Sequence, residues 1–105
     1  MPTEPHTPTL AEIVRAACEA ADPDASDDRV TDLLVRFEDR DEPVTTVLEE
    51  VEEELVEARR IIDLDGDSDR LRNAVAVAIY LAFRRDEIND DPDELIRRAN
   101  AAEEV

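Results

Sequence analysis

The chain has 105 residues, enough for one domain with a modest core, and carries 30 acidic against 12 basic side chains for a net charge of −18. All twelve basic residues are arginine and none is lysine. One cysteine excludes an internal disulfide or a cysteine-based zinc cluster, and one glycine excludes a glycine-rich phosphate loop.

Residues 1–8 are polar and proline-rich, read as a disordered tail without the apolar stretch of a signal peptide. A helical domain over 9–103 follows. Thr9 and Glu12 form a capping box, after which Leu10, Ile13, Val14, Ala17, Cys18 and Ala21 recur at helical spacing until Pro23. Ser26, with Asp27 and Asp28 behind it, is placed to cap a second helix with the apolar face Val30, Leu33, Leu34 and Phe37. Asp41-Glu42-Pro43 breaks it.

The third helix starts near Pro43 or Thr46, with Thr46 and Glu49 as a second capping box, and runs to about Asp63. Val44, Leu48, Val51, Leu55, Ala58 and Ile62 form a heptad seam along it. Gly66 sits where a left-handed residue suits the helix end, and Ser68 or Asp67 caps a fourth helix extending to about Asp86. Its segment Ala74–Phe83 alternates in a way that also fits a strand. Abundant alanine and the lack of a partner strand favour a helix. Being apolar nearly all round, it is expected at the centre. Asp91, Pro92 and Glu94 open a fifth helix carrying Leu95, Ile96 and Ala99. The expectation is an all-α bundle of four to five helices around a buried central helix, with no internal repeat.

Acid is unevenly distributed: residues 1–69 carry 22 acids and 6 arginines, residues 70–105 carry 8 and 6. In bulk character the chain resembles the cytoplasmic proteins of extremely halophilic archaea, and is closest in kind to their small uncharacterised helical proteins. The similarity rests on composition, with no motif. It implies a cytoplasmic setting in concentrated salt, where surface repulsion is screened, and it implies no activity or site residue.

Glu49, Glu50, Glu52, Glu53, Glu54 and Glu57 crowd the third helix. Glu49-Glu50-Val51-Glu52-Glu53 resembles the first metal-binding element of the all-α nucleotide pyrophosphohydrolases. The fourth helix has no acid from Arg70 to Arg85, so the second element of that family is missing. Asp63, Asp65, Asp67 and Asp69 alternate around Gly66 like a calcium loop. With Gly66 at position 6, however, Ile61 and Arg72 occupy positions 1 and 12, where such a loop needs carboxylates. His6 lies in the tail and Cys18 on an apolar stripe, so neither is placed for nucleophilic catalysis. No catalytic residue, cofactor or metal site is expected.

Two surfaces remain. Val75, Ile79, Tyr80 and Phe83 of the fourth helix, with Leu48, Val51 and Leu55 of the third, could meet a protein partner or another copy. Arg84, Arg85, Arg97 and Arg98 are the candidates for nucleic-acid contact, an alternative that the interleaved acids disfavour. The longest apolar run, Ala74–Phe83, is too short to span a bilayer. The favoured reading is a non-enzymatic helical interaction module. A DNA-associated regulator is the alternative, and a metal-dependent nucleotide hydrolase a distant third.

Overall fold

A computed structural model describes residues 7–103, with the side chain of Glu103 excepted. It contains five helices: α1 (Leu10–Ala21), α2 (Asp28–Phe37), α3 (Leu48–Ile62), α4 (Asp69–Phe83) and α5 (Pro92–Glu103). Short 3-10 turns at Val44–Thr46 and Arg85–Glu87 precede α3 and α5. The only β-type pairing among the described residues is an isolated bridge between Thr9 and Pro43. The protein is an all-α single-domain bundle.

Local chemistry sets most helix ends. Thr9 accepts the Glu12 N–H at 3.1 Å, Ser68 accepts that of Leu71 at 3.0 Å, and Asp91 accepts that of Glu94 at 3.2 Å. At α2 the cap is Asp27, which accepts the Arg29 N–H at 2.9 Å. Ser26 does not cap this helix, because its N–H and hydroxyl both donate to Asp22. The second capping box is also absent. Val44–Thr46 winds into a 3-10 turn, the Thr46 hydroxyl donates to the Pro43 carbonyl, and α3 starts behind Val47 without a side-chain cap. Helix α4 stops at Phe83, short of Asp86, because Arg84 leaves helical dihedrals (φ −131°, ψ 59°).

The segment before α3 returns to the start of α1. Carbonyls of Arg40 and Glu42 accept the first N–H groups of that helix, from Ala11 at 3.0 Å and Leu10 at 3.1 Å. These are donors that a helix leaves without an internal partner. Pro8, the last residue of the expected tail, is buried and its carbonyl accepts the Val44 N–H at 3.0 Å, while residues 1–6 of that tail lie outside the described residues.

Helix α4 is the centre of the bundle and touches all four others. Leu71, Ala74, Val77, Ala78, Leu81 and Ala82 are fully buried along it. Their partners include Leu10, Ile13 and Val14 of α1, Leu33 of α2, Val51 and Leu55 of α3, and Leu95 of α5. With a radius of gyration of 13.1 Å the chain is as compact as a domain of this length should be.

The structure overturns the expectation that the chain has no repeat. Helices α1 and α2 with their loop, and α3 and α4 with theirs, are two versions of one hairpin displaced by 41 positions, from Asp22 to Asp63. The helix before each loop ends at Ala21 or Ile62, and the helix after it begins at Asp28 or Asp69. Buried residues correspond pairwise: Leu10 with Val51, Val14 with Leu55, Ala17 with Ala58, Val30 with Leu71, Leu33 with Ala74 and Phe37 with Ala78. The left-handed loop residues correspond too, Ala25 at φ 51° and Gly66 at φ 69°.

One device closes both loops. Asp22 accepts the N–H groups of Ser26 and Asp27 at 3.2 and 2.9 Å, and Asp63 accepts those of Asp67 and Ser68 at 3.2 and 2.8 Å. The two loops then clasp each other reciprocally. Arg70 pairs with Asp22, Arg29 lies 3.8 Å from Asp63, and the Ser68 hydroxyl donates to its counterpart Asp27 at 2.7 Å. This local two-fold relation is lost further along, where α1 lies along α4 but α2 and α3 touch only lightly.

Candidate functional site

Helix α4 buries most of its circumference but not all of it. Near its C-terminal end Ile79 and Tyr80 are half-buried, and Phe83 keeps 53 % of its surface exposed. Ala76 on α4 and Ala99 and Ala102 on α5 are too small to fill the space between these helices. A trough of about 720 Å³ results, lined also by Glu52 of α3 and by Arg84. Such a volume lies within the range of pockets that hold small ligands or side chains of a partner.

A hydrogen-bond network adjoins the trough at Tyr80. The Tyr80 hydroxyl donates to Glu87 at 2.8 Å, and Arg98 donates to Glu87 at 2.7 Å and Asp90 at 2.9 Å. This network ties α4, the 3-10 turn and α5 together. Burial first, and then the Glu87 carboxylate, push the Tyr80 hydroxyl above its ordinary pKa, so it stays a protonated donor. Hydrogen bonds to Asp90 and Glu87 raise that of Arg98. The Arg84 guanidinium lies 5.9 Å from the Tyr80 ring centre, within cation–π range.

Of the apolar candidates, Ile79, Tyr80 and Phe83 are brought together in the trough. Val75, Val51 and Leu55 are corrected to core: they are 3 %, 0 % and 0 % exposed because α3 lays its seam against α4. Leu48 is half-buried against the core and does not line the trough. Ala76 and Ala102 are not marked by the sequence, and Glu52 and Ala99 stand out there only as part of an acidic face and as an apolar position of the fifth helix. The alanines matter here for their size, which no motif marks.

The arginine candidates do not form a free basic patch. Arg85 donates to the Ala82 carbonyl at 2.7 Å, Arg97 pairs with Glu94, and Arg98 is ringed by Glu87, Asp90 and Glu94. Arg84 is exposed, with its guanidinium near the Tyr80 face.

Other candidate chemistry resolves into structural roles. Glu49, Glu50, Glu52, Glu53 and Glu57 are exposed, while Glu54 pairs with Arg40 at 3.1 Å. Among the described residues no group of three or more His, Cys, Asp or Glu is arranged to hold a metal ion. Both Asp63 oxygens are taken by backbone N–H groups, chiefly that of Ser68, which hold its carboxyl below the usual range although burial opposes them. Cys18 is buried, faces the Val30 carbonyl at 3.7 Å, and has its thiol pushed up to about 12 by burial and then by Asp22 and Glu19. It is an inert packing thiol. His6 lies outside the described residues. No described helix is long and apolar enough to cross a membrane.

Comparison of the chain with protein-family models, curated proteins and solved structures returned no match.

Proposed function

We propose that this protein is a non-enzymatic helical interaction module whose trough between α3, α4 and α5 receives an apolar segment of a protein chain, a second copy being the first candidate. The observation that supports this most is Phe83. A large aromatic half-exposed beside Ile79 and Tyr80 forgoes burial that this small core could use, as an anchor for a partner does. Apart from Glu52, the residues lining the trough come from the nearly neutral stretch 70–105, which carries 8 acids and 6 arginines. Elsewhere the acidic, lysine-free surface suits a cytoplasm of concentrated salt, in which two such chains can approach.

The nucleic-acid alternative ranks lower, because Arg97 and Arg98 already hold carboxylates.

Sedimentation in about 2–3 M KCl, a strongly screened regime, tests the reading. The parent chain should associate with rising concentration, and Phe83→Asp should shift it to monomer without loss of helix by circular dichroism. A parent that stays monomeric throughout removes self-association. Association that Phe83→Asp leaves untouched removes the trough as its seat.

A further inference from the structure

The two hairpins form an internal control, because the same loop is closed twice with different surroundings. Around the first loop stand Cys18, Glu19, Ala20, Pro23 and Thr31; at the equivalent places around the second stand Arg59, Arg60, Ile61, Leu64 and Arg72. The first hairpin makes the same helix ends and the same aspartate-to-backbone bonds with none of these five residues. Closing the loop therefore does not require them. Nor does the helix dipole: α3 ends with Arg59 and Arg60, but α1 ends with no basic residue in its last turn.

What these residues do is leave charge and apolar surface unspent. Leu64 is 83 % exposed and Ile61 51 %, two of the four large hydrophobic residues on the described surface. Arg59 and Arg60 make no ion pair among the described residues and line, with Leu64 and Arg72, a cleft of about 220 Å³. Arg72 donates to the Gly66 carbonyl at 3.3 Å and lies 3.7 Å from Asp69. Asp63 and Asp65 line the cleft as well, with Asp67 and Asp69 following in sequence. Asp63 is buried and bonded to the backbone, whereas Asp65, Asp67 and Asp69 are exposed.

This mixture selects among partners. A nucleic acid brings an uninterrupted row of phosphates, which the three exposed aspartates would repel along with the attraction of the arginines. A protein segment can carry a few carboxylates one turn apart, reaching the arginines while missing the aspartates, and can add aliphatic side chains for Ile61 and Leu64. We propose that this end of the second hairpin, centred on Arg59, Arg60 and Leu64, is a docking surface for an acidic amphipathic helix of a partner protein. It is separate from the trough and does not depend on it. Arginine beside exposed aliphatic residues is a combination favoured at interface centres.

The test uses an isotope-labelled full chain and a synthetic helical peptide of about 18 residues, long enough to hold helix in water, with glutamate and leucine at helical spacing. In nuclear magnetic resonance titrations the signals of 59–72 should move. The same peptide with glutamine for glutamate should bind about tenfold more weakly. Arg59→Gln with Arg60→Gln should reduce binding by at least about tenfold, and Leu64→Ser more modestly, with unchanged helix content by circular dichroism reporting that each variant is folded. Phe83→Ser should leave the titration unchanged, which separates this surface from the trough. The proposal is overturned if signals of 59–72 do not move, if the glutamine peptide binds as well, or if the arginine pair can be replaced by glutamine without loss. It is overturned equally if duplex DNA or anionic lipid vesicles bind these residues more tightly than the peptide.

Discussion

Ala25 and Gly66 occupy the same place in two equivalent loops, both with left-handed backbone, yet only one is glycine. Around them nearly every group that makes a hydrogen bond to close the loop is matched: Asp22 with Asp63, Asp27 with Ser68 as helix cap, Arg29 with Arg70 reaching across, while the Ser26 hydroxyl on Asp22 has no counterpart because position 67 is aspartate. Everything that does not is free to differ. A six-residue link between helix ends is thus fixed by one buried acceptor and one cap. The second helices of the two hairpins then diverge. Helix α2 has 10 residues and lies at the edge, whereas α4 has 15, is apolar nearly all round, and takes the centre. Shared bonding fixes the hairpin, and the breadth of the apolar face decides its position.

Equivalent substitutions in the two halves put this comparison at risk. The largest effect is expected in the paired core positions. Leu71→Ala, at a fully buried site on the central helix, should cost about 2–5 kcal/mol in chemical denaturation. Val30→Ala at the matching place on α2 should cost less, since fewer carbons are removed and α2 has fewer neighbours. Equal losses would mean that the hairpins share the core evenly.

The loop acceptors come next. The backbone N–H groups of Asp27 and Ser68 respectively, above all other contacts, hold the carboxyls of Asp22 and Asp63 below their ordinary pKa against the opposing effect of burial. A folded-state pKa that is depressed favours the folded state above the unfolded value of about 3.9, and that contribution is lost as pH falls through the lower folded value. Asp22→Asn and Asp63→Asn should therefore each lower stability at neutral pH and flatten the acid side of the stability profile. Asp22→Asn should do more, because Asp22 also holds the Ser26 hydroxyl and Arg70. Unchanged acid profiles in both variants would deny the clasp any energetic weight.

The smallest effect tests the loop backbone itself. Ala25→Gly should relieve left-handed strain and stabilise by about 0.5–1 kcal/mol, while Gly66→Ala should destabilise by about 1 kcal/mol. A Cβ at position 66 would meet no atom within 4 Å, so backbone strain is the only cost in play. Thermal melts should move in opposite directions. Movement in the same direction would show that the two loops are not equivalent.

The helices were legible wherever a local signal had no rival. Thr9 with Glu12, Pro23, Ser68, and Asp91 with Pro92 all sit where their chemistry placed them. Ser26 was misread because a nearby acceptor, Asp22, competes for it. Thr46 was misread because a 3-10 turn offered its hydroxyl the Pro43 carbonyl. The trough was half legible. Ile79, Tyr80 and Phe83 could be named from apolarity alone, but Val75, Val51 and Leu55 look the same in sequence and are consumed by the core. The repeat was present in the residues, as Asp-x-Asp-x-x-x-Asp-Arg followed by Val30 or Leu71, and was hidden by its low identity elsewhere.

By itself the sequence determined that this protein is helical, acidic, without a bilayer-length apolar run, and built around Ala74–Phe83. Those properties follow from bonds between residues three or four apart and from composition, which require no knowledge of the fold. Tertiary structure alone decided that Arg70 meets Asp22 across 48 residues, that Ser68 meets Asp27 across 41, and that α5 leaves Phe83 uncovered. Contacts at such separations depend on how helices of particular width pack, and a residue's neighbours along the chain do not carry that information.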